Sequence, residues 1–211
     1  MCWICDHPGA TRRDYLDHLQ EIIDRSGWTV IQVEPDGIHP PLAYTVGLTR
    51  SGLPEFVVTG MRIDRACSVL NCLAGDQAAH SEPYPPGSTH DVTAQDWRVA
   101  GELVAVARPW AHLNVAVDFY GEHFRAVQFV YTDEHGHWPW DSRYRGLPGG
   151  QPVLGPRMPA EPNEQAGLSR MPAAPRSTAG TAAIACRPRR DSRSARGMPT
   201  PCTPKWLHFG Q

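Results

Sequence analysis

"HPPLAYTVGLTRSGLPEFVVTGM", residues 39–61, decides the architecture. Two apolar, β-branched runs, 39–48 and 55–61, flank "TRSGLP" at 49–54, where a Gly-x-Pro sequence makes a turn. Two such strands joined by a short turn pair most simply as an antiparallel hairpin. Alternation along "LAYTVGL" puts Leu42, Tyr44 and Val46 on one face and Ala43, Thr45 and Gly47 on the other. Gly47 has no side chain, so a ligand or a second backbone can come close on its face.

Upstream, "TRRDYLDHLQEIIDRSG" (11–27) carries Tyr15, Leu16, Leu19, Ile22 and Ile23 on one helical face. Thr11 with Asp14 resembles a capping box, and Gly27 is placed to end the helix. "WTVIQVE" (28–34) reads as a strand. Downstream, "RIDRACSVLNCLA" (62–74) is a second helix with Ile63, Cys67, Leu70 and Ala74 at core spacing. The prolines and glycine of "HSEPYPPGSTHD" (80–91) exclude regular structure there. Then come a long strand, "WRVAGELVAVA" (97–107), a helix ending at Gly121, "AHLNVAVDFYG" (111–121), and a strand, "RAVQFVYTD" (125–133). A turn, "DEHGHW", and an aromatic stretch, "WPWDSRY", follow. Helices and strands do not alternate regularly, so the expected class is α+β: a mainly antiparallel sheet with two or three packed helices.

The 211 residues are 41% hydrophobic and 20% charged, enough for one packed domain and an appendage. No apolar run approaches the roughly 18–20 residues that span a bilayer, and no basic-then-apolar leader opens the chain. The expectation is a cytoplasmic protein with no membrane partner, its six cysteines free thiols or metal ligands. Residues 1–157 form the expected domain. Residues 158–211, rich in Pro, Ala and Arg without apolar periodicity, form a tail expected to be disordered. From Asn163 onward, eight Lys or Arg face two acids, which leaves the preceding part net acidic. An acidic domain suits no phosphate backbone, so nucleic acid is not an expected partner for it.

Several phrases in order, "CWICDHPG", "AYTVGL", "PEFVVTGM", "FYG", "VQFVYTD", "HWPWDSRY" and "GGQPVLGP", resemble the domain-of-unknown-function family 4262 over residues 1–157. The resemblance implies a single small bacterial α+β domain and brings no established activity. One departure is the His-Pro-Glu that the family often shows, which here is Leu53, Pro54 and Glu55.

Two constellations carry chemistry. Cys2, Cys5 and His7 form a Cys-x-x-Cys with a nearby imidazole, a spacing that lets two thiolates and a nitrogen face one zinc ion. No second Cys-x-x-Cys completes a zinc ribbon, and incidental thiols are the competing reading. His39, His90 or Cys72 are the distant candidates for a further ligand. The second constellation is aromatic and polar: Tyr44, Glu55, Trp140, Asp141 and Arg143, expected to share one partly buried sheet edge, with Arg143 the cationic partner of Glu55. The competing reading makes the aromatics ordinary core residues. The chain lacks G-x-S-x-G, H-E-x-x-H, P-loop and G-x-G-x-x-G signatures. A small-ligand-binding or protein-interaction domain is therefore the first expectation, and a metal- or thiol-dependent enzyme built on Cys2, Cys5 and His7 the alternative.

Overall fold

The computed structural model describes residues 3–36, 38–80, 82–94, 97–147, 150–157, 182–185 and 202–203, with only the backbone of 4, 5, 182, 183, 185, 202 and 203. A single turn, α1 (Trp3–Asp6), precedes α2 (Arg12–Ser26). Thr11 and Asp14 close the capping box in both directions, and Gly27 ends the helix with φ +83°. The 39–61 stretch forms β2 (Leu42–Val46) and β3 (Glu55–Thr59), antiparallel, with Ala43 opposite Val58. β1 (Thr29–Val33) flanks β2, also antiparallel. After α3 (Ile63–Gln77) come β4 (Thr89–Ala94), β5 (Trp97–Ala105), α4 (Asn114–Tyr120) and β6 (Ala126–Tyr131). Two short strands, β7 (Ala182–Ala185) and β8 (Cys202–Thr203), sit at the sheet's edges. The order is β7-β4-β5-β6-β3-β2-β1-β8. Among the six longer strands only β3 and β6 run parallel. The fold is α+β with a mainly antiparallel sheet.

Both faces of this sheet are covered, which explains why β3 and β6 are apolar almost throughout. α3 packs on one face, placing Cys67, Leu70 and Leu73 against Ala43, Phe56, Val58, Leu103 and Phe129. α2 and α4 pack on the other, where Leu19, Ile23, Val115 and Ala116 meet Ile31, Tyr44, Val46 and Val57. The period-two split of Tyr44 and Val46 from Ala43 follows the pleat.

One polar device fastens the segment after β6 back onto the sheet. Buried Gln128 donates to Thr59 Oγ1 and the Pro152 carbonyl and accepts from the Leu154 amide. Gln151 accepts from the Tyr131 amide and donates to its carbonyl. Two close approaches demand glycine: a Cβ on Gly60 would lie 2.2 Å from the Gly150 carbonyl oxygen, and one on Gly155 would lie 1.9 Å from that of Ala105.

Two expectations are corrected. β4 begins at Thr89, inside the stretch 80–91 that its prolines excluded from regular structure. The prolines stop at Pro86; Gly87 then donates to the Leu103 carbonyl, and pairing with β5 takes over. Cys67 is a buried thiol outside any disulfide, but Cys72 is disulfide-bonded, so the cysteines are not uniformly thiols or metal ligands. Only the folded geometry decides whether a second sulfur comes within reach. Most of residues 158–211, on which the expectation of disorder falls, lies outside the described residues.

Candidate functional site

Glu55 opens β3 with 0% exposure. Its carboxylate accepts four hydrogen bonds from the turn it faces: the Thr45 hydroxyl at 2.7 Å, the Gly47 amide at 3.0 Å, and the Thr49 amide and hydroxyl at 2.9 and 2.8 Å. Burial pushes its pKa up, and the four donors pull against that. Gly47 makes the corner possible. It adopts φ +135°, and a Cβ there would sit 2.5 Å from the Gly27 carbonyl oxygen. Tyr44 belongs to the core behind this corner, its hydroxyl accepting from the Val115 amide.

Asp141 occupies a different place. Its carboxylate accepts from the Arg143 amide and side chain within one exposed turn, which holds its pKa down at about 2. Asp133 organises the same loop. Burial opposes its charge, but amides from His137, Arg145 and His135 outweigh that and depress its pKa. Trp140, 41% exposed, stacks on Trp138 and lies under the Arg157 guanidinium, which is paired with Glu102.

The expected shared edge is therefore not formed. Glu55 pairs with Ala126 at the start of the parallel β3–β6 ladder. The loop bearing Asp141 leaves from Tyr131 at the other end, where Tyr131 donates to the Gly60 carbonyl and Glu102 lies opposite Val130. Nor does Arg143 serve Glu55, since neutral donors satisfy the buried carboxylate. Of the predicted group, Trp140, Asp141 and Arg143 share one loop, Glu55 belongs to the opposite end, and Tyr44 lies in the core opposite Val57.

Of the proposed zinc ligands, Cys2 and the Cys5 side chain lie outside the described residues. His7 stacks on Trp3 and directs Nδ1 to the Trp3 carbonyl at 2.7 Å. Among the described residues, no group of three or more His, Cys, Asp or Glu is arranged to hold a metal ion.

Cavities open among the described residues. One, about 540 Å³, lies between residues 35–36 and 38–41, the start of α3 and Leu147. The second, about 470 Å³, opens where β5 ends and β3 and β6 begin. Tyr84, Trp110 and Phe124 supply its aromatic walls, prolines such as Pro54 and Pro109 stiffen it, and Arg125 stands at it as its cation. Arg125 uses one guanidinium nitrogen to donate to the Gly52 carbonyl. The Tyr84 hydroxyl is anchored by Asp76. Sequence reading missed this cleft, although "PYPPG" and "RPW" mark rigid, aromatic loops.

A family model described as "Domain of unknown function (DUF4262)" matches residues 22–145. The chain belongs to this family. The DUF4262 match takes in the hairpin, Glu55 and every residue of the 470 Å³ cleft, while Cys2, Cys5, His7 and Leu147 fall outside it. It is narrower at both ends than the 1–157 span of the sequence resemblance. No curated protein matches the chain, and no solved structure does. No helix among the described residues is long and apolar enough to cross a membrane.

Proposed function

We propose that this DUF4262 domain binds a small molecule in the cleft of Tyr84, Trp110, Phe124 and Arg125. One observation carries the reading: a cavity of about 470 Å³, walled by aromatics and prolines, with Arg125 as the cation among its described lining residues. That size and lining suit small ligands, and rigid walls reduce the ordering cost of binding. Flat side chains favour a flat apolar body, and Arg125 favours an anionic group upon it. Glu55 is a structural carboxylate in this reading, because its four donors all belong to its own corner.

The test uses 1-anilinonaphthalene-8-sulfonate, an aromatic with one anionic group, alongside the same compound without the sulfonate. The sulfonate should quench tryptophan fluorescence saturably and bind about tenfold more weakly to Arg125→Gln, the loss of one charge-assisted contact worth about 1.4 kcal/mol. The uncharged compound should not distinguish the two proteins. Sulfonate binding that is indifferent to both Arg125→Gln and Trp110→Ala would refute the cleft.

A further inference from the structure

The outer edge of β4 raises a separate question, independent of the cleft. β4 buries His90, Val92 and Ala94 on its inner side while exposing Thr89 and Thr93. A strand with a buried apolar side and an open row of backbone donors and acceptors is a template for another strand. Here that edge is filled by β7, which runs parallel to β4 with Val92 opposite Ile184. Ile184 is 2% exposed and joins the same core as Val92, Leu73 and Phe129. The receiving edge lies inside the DUF4262 match, whereas the strand that fills it lies far beyond residue 145. The family's own segment thus contributes the edge but not its cover.

We infer that the β4 edge is a strand-acceptor site for an extended segment of a partner protein, and that residues 182–185 of this chain hold its place. The occupant's chemistry is legible in "AAIA": one branched aliphatic side chain seated beside Val92, among residues small enough not to obstruct the approach. Backbone hydrogen bonds supply affinity in such strand addition, and a buried side chain, here Ile184, supplies selection. Being on the same chain, the resident segment acts at a high effective concentration, and an outside segment must compete with it.

The test uses the full chain, with reductant present because Cys72 is disulfide-bonded. Ile184→Asp should release the resident strand. A fluorescent peptide of residues 180–187 carrying Cys186→Ser should then bind the variant saturably and the wild-type chain at least tenfold more weakly. The same peptide with Ile184→Asp should bind neither. No saturable binding to the variant, or equal binding of the two peptides, overturns the proposal. Wild-type dimers formed by exchange of this segment overturn the partner assignment, since the site would then serve a second copy. Should Ile184→Asp not fold, amide exchange across Thr89–Ala94 decides: it should be faster in Ile184→Ala than in wild type, and unchanged exchange counts against the site.

Discussion

Glu55, which opens β3, and Asp141, in the loop after β6, both carry carboxylates beside the central strands, yet they are stabilised in opposite ways. At the Glu55 end, a fully buried carboxylate is held by two hydroxyls and two amides, and desolvation raises its pKa. At the Asp141 end, an exposed loop supplies Arg143, and the pKa falls to about 2. The carboxylate is shared; desolvation sets the sign at Glu55 and the Arg143 side chain sets it at Asp141. The first carboxylate builds the corner on which the β2–β3 hairpin turns. The second orders a local loop.

The largest expected effect is therefore at Glu55. Glu55→Ala orphans the Gly47 and Thr49 amides in the interior and should cost about 3–4 kcal/mol in urea unfolding. Glu55→Gln keeps an acceptor for most of these donors and should cost about 1 kcal/mol. Asp141→Ala should lower the unfolding midpoint far less than Glu55→Ala does. An equal loss at the two positions would erase the contrast.

The pH dependence should carry opposite signs at the two ends. The folded state raises the Glu55 pKa above its ordinary 4.5, so its stabilisation is complete below that pH and is lost as pH rises through the folded value. The deficit of Glu55→Gln against wild type should thus shrink as pH increases above 4.5. Asp141 is depressed from 3.8 to about 2, so its contribution is present above 3.8 and lost as pH falls through 2. The deficit of Asp141→Asn should shrink toward acid. Urea midpoints from pH 2 to 8 check both; a Glu55→Gln deficit that grows with pH would mean that four donors outweigh burial.

The β2–β3 strands were legible as β-branched runs around a turn, and the faces of β2 because period-two patterning along 42–46 reports which side chains meet a helix layer. The capping box at Thr11 was legible because its partner is three residues away. What escaped depends on contacts distant in sequence. β4 was hidden because Thr89–Ala94 is defined by pairing with β5, against a local run of prolines. The partner of Glu55 was misassigned because a buried carboxylate calls for donors, and nothing local reveals whether a cation or the turn's own amides supply them. The expected nearness of Asp141 failed on topology: β3 and β6 run parallel, so the residue that begins one strand lies far from the loop that leaves the end of the other.

The N-terminal thiols sharpen the comparison from outside the DUF4262 match. Zinc binding by Cys2, Cys5 and His7 remains our proposal from their spacing, and His7 is compatible with it. With Nδ1–H given to the Trp3 carbonyl, its Nε2 keeps a lone pair for a metal. Weak, pH-dependent zinc uptake should disappear in Cys2→Ser/Cys5→Ser, because the ligands are thiolates. Calorimetric titration checks this, and uptake unchanged in the double variant would place any zinc elsewhere.

The smallest effect is expected at Tyr120, and it probes the Glu55 corner most finely. The Tyr120 hydroxyl is buried and makes no hydrogen bond among the described residues. The amide of Gly47, toward which it faces, is already committed to Glu55 at 3.0 Å. Burial raises the tyrosine's pKa, and the neighbouring Glu55 raises it further, so the hydroxyl stays protonated beside a carboxylate it does not reach. A buried hydroxyl without a partner costs desolvation and returns nothing, whereas a phenyl ring keeps the packing against Phe124. Tyr120→Phe should accordingly leave stability within about 0.5 kcal/mol of wild type, on the favourable side. A loss above about 1 kcal/mol would show that the hydroxyl has a partner at the corner, and the carboxylate would then no longer be satisfied by its turn alone.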